Sequence, residues 1–183
     1  IERACVVGHG IGGGIAQSLA IRHAARVSSL CLVDSVAFDR WPTIEGRLAR
    51  ATLPITRLLP PSLLVAVLRR DLRRGYVDPD RAARSLDLYL RPFVGGDGRD
   101  ALAAHIRALT TDETRELGGQ LARITIPTAI VWGQQDRAIP LWVGRQLQQA
   151  IPGATLDIVP GARHYTPEEA PRAVADAVSR LLS

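Results

Sequence analysis

The 183-residue chain reads as an α/β protein: a mostly parallel sheet flanked by helices, with a helical segment inserted in its middle. Three observations predict this. Short apolar runs with β-branched residues alternate with helical patterns near both ends of the chain. The first run passes through a glycine-rich turn straight into a helix. The long middle carries helical spacing only, broken by prolines.

Residues 3–7 form a short continuous apolar run bounded by Gly8, the pattern of a strand buried on both faces of a parallel sheet. Residues 12–22 turn helical, with Ile15, Leu19, Ala16 and Ala20 at spacings of four on a common side. The glycines at 12, 13 and 14 let this helix lie close to the strand. Residues 28–33 are the next strand, ending at Asp34, so the chain opens as a parallel strand–helix–strand unit.

In the middle, Leu48, Leu53, Ile55, Leu58, Leu59, Leu63, Leu64, Val67 and Leu68 recur at helical spacing. Pro42, Pro54, Pro60 and Pro61 divide them into short helices. Pro79, after Asp78, suits a first helical turn, and residues 101–109 belong to a further helix. The segment far exceeds the dozen or so residues of an ordinary crossover, so it reads as a helical cap. The expected organisation is core 1–37, cap 38–110 and core 111–183. Arg69, Arg70, Arg73 and Arg74 read as a solvated face, with a clamp for an anionic substrate as the alternative. Strand 128–132, helix 141–150, strand 155–159 and an amphipathic helix 167–182, with Val174, Val178, Leu181 and Leu182 inward, complete the alternation.

Composition narrows the class. The chain is 46% hydrophobic and 22% charged, without a membrane-spanning apolar run. All 23 basic residues are arginine, and they are scattered among few aromatic residues, so the net charge of +5 does not point to nucleic acid. Cys5 and Cys31 sit in apolar runs and read as buried free thiols, not as a disulfide or a metal pair. No metal and no cofactor is expected. There is no signal peptide and no initiating methionine; a cytoplasmic location and a missing upstream part are the expectations.

In open α/β sheets ligands gather beyond the carboxyl ends of the strands. Two polar residues stand there in order: Asp136 after the third strand and His164 after the fourth. An acid that holds a histidine in one tautomer, with the histidine taking a proton, requires the two within hydrogen-bond reach, and adjacent strand ends supply it.

With these residues the chain resembles the α/β-hydrolase family. Val-Val-Gly-His-Gly-Ile-Gly-Gly (6–13) is similar to its nucleophile elbow, and Leu-Cys-Leu-Val-Asp (30–34) to the strand that follows. The segment from Ile126 to Pro140 resembles the acid-bearing segment, and that from Val159 to Pro171 the histidine segment. The resemblance implies a hydrolase of a small apolar ester, lactone or carbon–carbon substrate, with the middle as lid, His164 as base and Asp136 as its orienter. The nucleophile maps onto Gly10, which has no side chain, so this form is expected to be inactive. The backbone N–H of Ile11 is the implied oxyanion-hole donor. The family's first four strands are absent from this chain and are expected from the same or another polypeptide.

No other residue replaces the nucleophile. Ser18 lies about 12 Å along the helix, Cys5 is on the wrong side of the turn, and Ser35 reads as a loop serine. His9 is given a supporting structural role, and His23 and His105 lie on helical segments without an evident partner. Two other functions stay open: a ligand-binding pseudoenzyme, and a cofactor-independent oxygenase or lyase using the His164–Asp136 dyad.

Overall fold

The computed structural model describes residues 1–39, 44–52, 60–108 and 110–183. It divides into two compact units, Ile1–Trp41 with Thr111–Ser183, and Pro42–Thr110.

The first unit contains strands β1 (Ala4–His9) and β2 (Val27–Val33) joined by helix α1 (Ile11–Arg22). After the inserted unit come α6 (Asp112–Gly118), β3 (Thr128–Gly133), α7 (Leu141–Ala150) and β4 (Thr155–Val159), then the short α8 (Thr166–Glu169) and α9 (Pro171–Leu182). The strands form one parallel sheet in the order β1-β2-β3-β4.

Alternate side chains of a strand point to opposite faces, and the core follows that rule. Leu30, Leu32, Ile130 and Trp132 pack on one face with Ala16 and Ala20 of α1 and Val143 and Leu147 of α7. Cys31, Val33, Ala129 and Val131 face the other way and meet Ala177 of α9, with Val174, Val178 and Leu181 around it. β2 and β3 are therefore buried on both faces, which is why they read as continuous apolar runs.

β1, read as a strand buried on both faces, has β2 as its single neighbour and leaves Val7 49% exposed, the open edge expected of a sheet that begins at the elbow strand. Two other expectations change. In α1 the buried side consists of Gly13, Gly14, Ala16, Gln17, Ala20 and Ile21, while Ile15 and Leu19 point outward; the small residues at 13, 14, 16 and 20 let the helix backbone approach the sheet. The last helix starts anew at Pro171, which lacks the N–H needed to continue α8, and Leu182 is exposed.

The second unit contains α2 (Ile44–Ala51), α3 (Pro61–Leu72), α4 (Pro79–Leu90) and α5 (Gly96–Ala108), with no strand among its described residues. Asp78 caps α4, its carboxylate accepting from the amides of Asp80 and Arg81, and Pro79 occupies the first turn. Leu63 and Val67 are exposed, and Arg69 pairs with Asp87 at 2.6 Å. The readings of Leu53, Ile55, Leu58, Leu59, Pro42 and Pro54 lie outside the described residues. No described helix is long and apolar enough to cross a membrane, and no metal-ligand cluster occurs among the described residues.

Candidate active site

The turn between β1 and α1 is built by backbone bonds. The Gly10 amide donates to the Val33 carbonyl at 3.1 Å, and the Gly10 carbonyl accepts from the amides of Gly13 and Val36 at 3.1 and 3.0 Å. Gly10 sits at φ 55° and ψ −119°, a backbone conformation that glycine reaches with little penalty. The N–H groups of Ile11 and Gly12 begin α1 and have no intrahelical partner. A helix N-terminus also carries partial positive charge, which suits an oxygen that gains negative charge.

The end of β3 carries the acid. Asp136 has a fully buried side chain; its Oδ1 accepts from the amides of Ala138 and Ile139 at 2.8 and 3.0 Å, and its Oδ2 faces His164 Nδ1 at 2.9 Å. Because a carboxylate only accepts, Nδ1 carries the proton, and in neutral His164 the lone pair lies on Nε2. Burial lowers the basicity of His164, but the hydrogen bond and charge of Asp136, with the charge of Asp34, outweigh it and hold its pKa above the ordinary value. A Cβ built on Gly10 would lie 3.6 Å from Nε2 and 3.8 Å from Cε1 of His164, with no other heavy atom of the described residues outside its own turn within 4 Å. The three residues singled out in the sequence thus converge, with the free nitrogen of the histidine facing the position that lacks a side chain.

The ends of β3 and β4 come this close because Gly133 has no side chain: a Cβ there would be 2.1 Å from the Arg163 carbonyl oxygen. Gln134 and Gln135 then donate from their amides to the carbonyls of Val159 and Ala162 at 3.0 and 2.9 Å, binding the acid turn to the histidine loop.

His9 braces the same loop. Its Nε2–H donates to the His164 carbonyl at 2.7 Å, and its ring lies 5.0 Å from that of His164 and 5.9 Å from that of Tyr165. Burial and the neighbouring His164 lower its pKa, so it serves as a neutral donor. Ser35 is buried: its Oγ accepts from Gln17 Nε2 at 2.9 Å and donates to the Val36 carbonyl at 3.0 Å. His23 is exposed, and His105 donates through Nδ1 to the Ala101 carbonyl at 2.7 Å and stacks edge-on with Phe93. Cys5 and Cys31 are free, and burial pushes the Cys31 thiol up to about 12.

Asp34 is the residue that the sequence did not single out for the site. It is fully buried at φ 41°; its Oδ1 accepts from the Gly133 amide at 2.8 Å and its Oδ2 from the Thr166 amide at 3.4 Å. Burial raises its pKa to about 7 despite bonds from Thr166 and Gly133 that favour the charged form, and Asp136 adds to the rise. The signal was its place at a strand end between the elbow and the acid strand.

The sequence model described as "Alpha/beta hydrolase family" matches residues 1–177. The chain is 32% identical over 164 residues to the pimeloyl-[acyl-carrier protein] methyl ester esterase of Chromobacterium violaceum, covering 87% of this chain and 62% of the esterase. Among solved structures, an alpha/beta hydrolase fold protein from Burkholderia ambifaria superposes with a TM-score of 0.87 at 26% identity, over 97% of this chain and 66% of that one. The enol-lactonase of Burkholderia xenovorans LB400 superposes with a TM-score of 0.75 at 26% identity, over 100% of this chain and 66% of that one. The chain spans between 43% and 66% of the length of curated relatives it matches.

Proposed function

The chain belongs to the alpha/beta hydrolase family, and from that premise we propose that it serves hydrolysis of a small apolar ester or lactone. His164 is the general base, Asp136 its orienter, and Gly10 stands where the nucleophile belongs. In this reading no acyl-enzyme forms in the present sequence, because glycine offers no attacking atom. The observation that carries it is the 3.6 Å between a Cβ at Gly10 and His164 Nε2, which brings the hydroxyl of a serine at that position within hydrogen-bond reach of the base. An ester and a lactone are the substrates in the names of two similar proteins, which supports the choice of acyl chemistry. The inserted Pro42–Thr110 unit is assigned the role of lid and determinant of substrate choice, on its place in the chain between β2 and β3. The edge of β1, which carries the exposed Val7, is assigned a parallel strand of further polypeptide as partner.

Gly10→Ser tests the reading in the intact protein. Treatment with a serine-directed fluorophosphonate is expected to add one adduct by intact mass, absent from the unsubstituted protein and at least about tenfold slower in Gly10→Ser/His164→Ala, in line with general-base activation. A folded Gly10→Ser protein that stays unlabelled overturns it. Gly10→Cys, labelled with iodoacetamide and compared with and without His164, serves as the second probe of the same position.

A further inference from the structure

The pair formed by His164 and Asp136 is complete although the residue it faces has no side chain. A base so prepared acts on whatever proton donor stands before it. We propose that this protein hydrolyses activated carboxylic esters by single displacement, with a water molecule beside Gly10 as the nucleophile and His164 as its general base. The inference rests on the roles given above to Gly10, His164 and Asp136.

Geometry supplies the space. A hydroxymethyl group fills roughly the 30 Å³ that one water occupies in the liquid. Among the described residues, His164 Nε2 and Cε1 are the only atoms outside the turn within 4 Å of the Cβ position of Gly10. A bound water also requires polar partners. Nε2 presents a lone pair, since Nδ1–H is committed to Asp136, and the His164 side chain is 18% accessible, enough for solvent to reach it. The amides of Ile11 and Gly12 open α1 without partners among the described residues, and they can donate to the water or to the substrate carbonyl.

The step balances without any co-reactant beyond water. One O–H bond of water breaks, its proton passes to His164 Nε2, and its oxygen bonds the carbonyl carbon to give a tetrahedral intermediate. The C–O bond to the leaving group then breaks, and the imidazolium returns its proton to the departing alkoxide. Ester and water become acid and alcohol, with nothing attached to the protein. Asp136 favours the imidazolium formed on the way, as the raised basicity of His164 reflects. Triad enzymes stripped of a member keep a residual acceleration of about 10³–10⁴ over water from the oxyanion hole and binding alone, so dependence of the rate on His164 is what marks the water route.

The test is turnover of p-nitrophenyl acetate by the intact, unsubstituted protein. It is expected to proceed without a burst and without an acyl adduct by intact mass. kcat/KM should rise with pH through the titration of His164 and fall about 100-fold in His164→Ala, the scale of general-base catalysis. His164→Gln, of similar size, is checked by thermal melting and by the same assay, so that misfolding is separated from loss of the base. A rate equal in protein and His164 variants, or an acyl adduct on the unsubstituted protein, overturns the proposal. If Gly10→Ser takes the fluorophosphonate while the unsubstituted protein shows no His164-dependent rate, the water route falls and the proposed roles of Gly10 and His164 stand. If Gly10→Ser stays unlabelled, it is those proposed roles that fall.

Discussion

Asp34→Asn separates the charge of Asp34 from its hydrogen bonds. The carboxyl is fully buried between the amides of Gly133 and Thr166, and burial raises its pKa from 3.8 to about 7. In the unfolded chain it loses its proton near 3.8; in the folded protein it keeps it until about 7. Between these values the folded state binds more protons, so stability falls as pH rises from about 4 to about 7 and is flat in this group outside that window. At 1.36 kcal/mol for each tenfold, the full span corresponds to about 4 kcal/mol. Asparagine does not titrate, and its side-chain oxygen still accepts from the Gly133 amide. The measurement is urea unfolding of both proteins at pH 4, 5.5, 7 and 8.5. The stability of Asp34→Asn relative to the unsubstituted protein should grow by about 2–4 kcal/mol across the series. His9 and His164 titrate in both proteins and cancel to first order in the difference. A difference that stays constant within about 0.5 kcal/mol refutes the reasoning, since it means that the buried carboxyl carries no ionisation penalty.

Three further perturbations follow from the same geometry. Gly133→Ala places a Cβ 2.1 Å from the Arg163 carbonyl oxygen, a backbone atom that cannot step aside, and should cost about 1–3 kcal/mol or more by thermal melting. Gly12→Ala, with nothing within 4 Å of its Cβ and a place in α1, should instead gain about 0.5–1 kcal/mol; the opposite order contradicts the packing. Asp136→Asn removes the hydrogen bond and charge that raise His164 while leaving its burial, so the imidazole titration followed by NMR should move to lower pH. An unmoved titration shows that the two do not interact.

The sheet was legible because β2 and β3 are buried on both faces, and such strands write themselves as uninterrupted apolar runs. β1 carried the same composition, yet it borders a single strand; which neighbour a strand meets is a property of topology, and Val7 cannot announce it. Helix α1 misled for a related reason. Ile15 and Leu19 mark the outer side, while Gly13, Gly14, Ala16 and Ala20 meet the sheet at close range beside the buried Gln17 and Ile21. At the site, Asp136 and His164 were legible since each stands just past an apolar strand in family order. Asp34 was not, because its role consists of accepting two backbone amides distant in sequence, and no spacing rule encodes a bond from Gly133 or Thr166 to residue 34.

The elbow and the dyad differ in how firmly side-chain identity is tied to backbone. At Gly10 the turn is held by main-chain bonds to Val33, Gly13 and Val36, none of which involves a side chain. Losing the nucleophile there removes none of the turn's main-chain hydrogen bonds and relieves a positive φ, so the turn does not resist the change. Asp136 is bound on both sides of its function: one oxygen orients His164 while the other fastens its own turn through Ala138 and Ile139. Replacing it by a residue without an acceptor leaves the buried Ile139 amide unpaired, at about 1–3 kcal/mol, and with it the part-buried Ala138 amide, whether or not the protein turns over any substrate. His9 holds residue 164 only through its main-chain carbonyl, a bond that any side chain there would keep, so the imidazole is tied to the fold through its bond to Asp136 Oδ2. Stability thus fastens Asp136 to its turn while leaving the attacking atom at position 10 free to vanish.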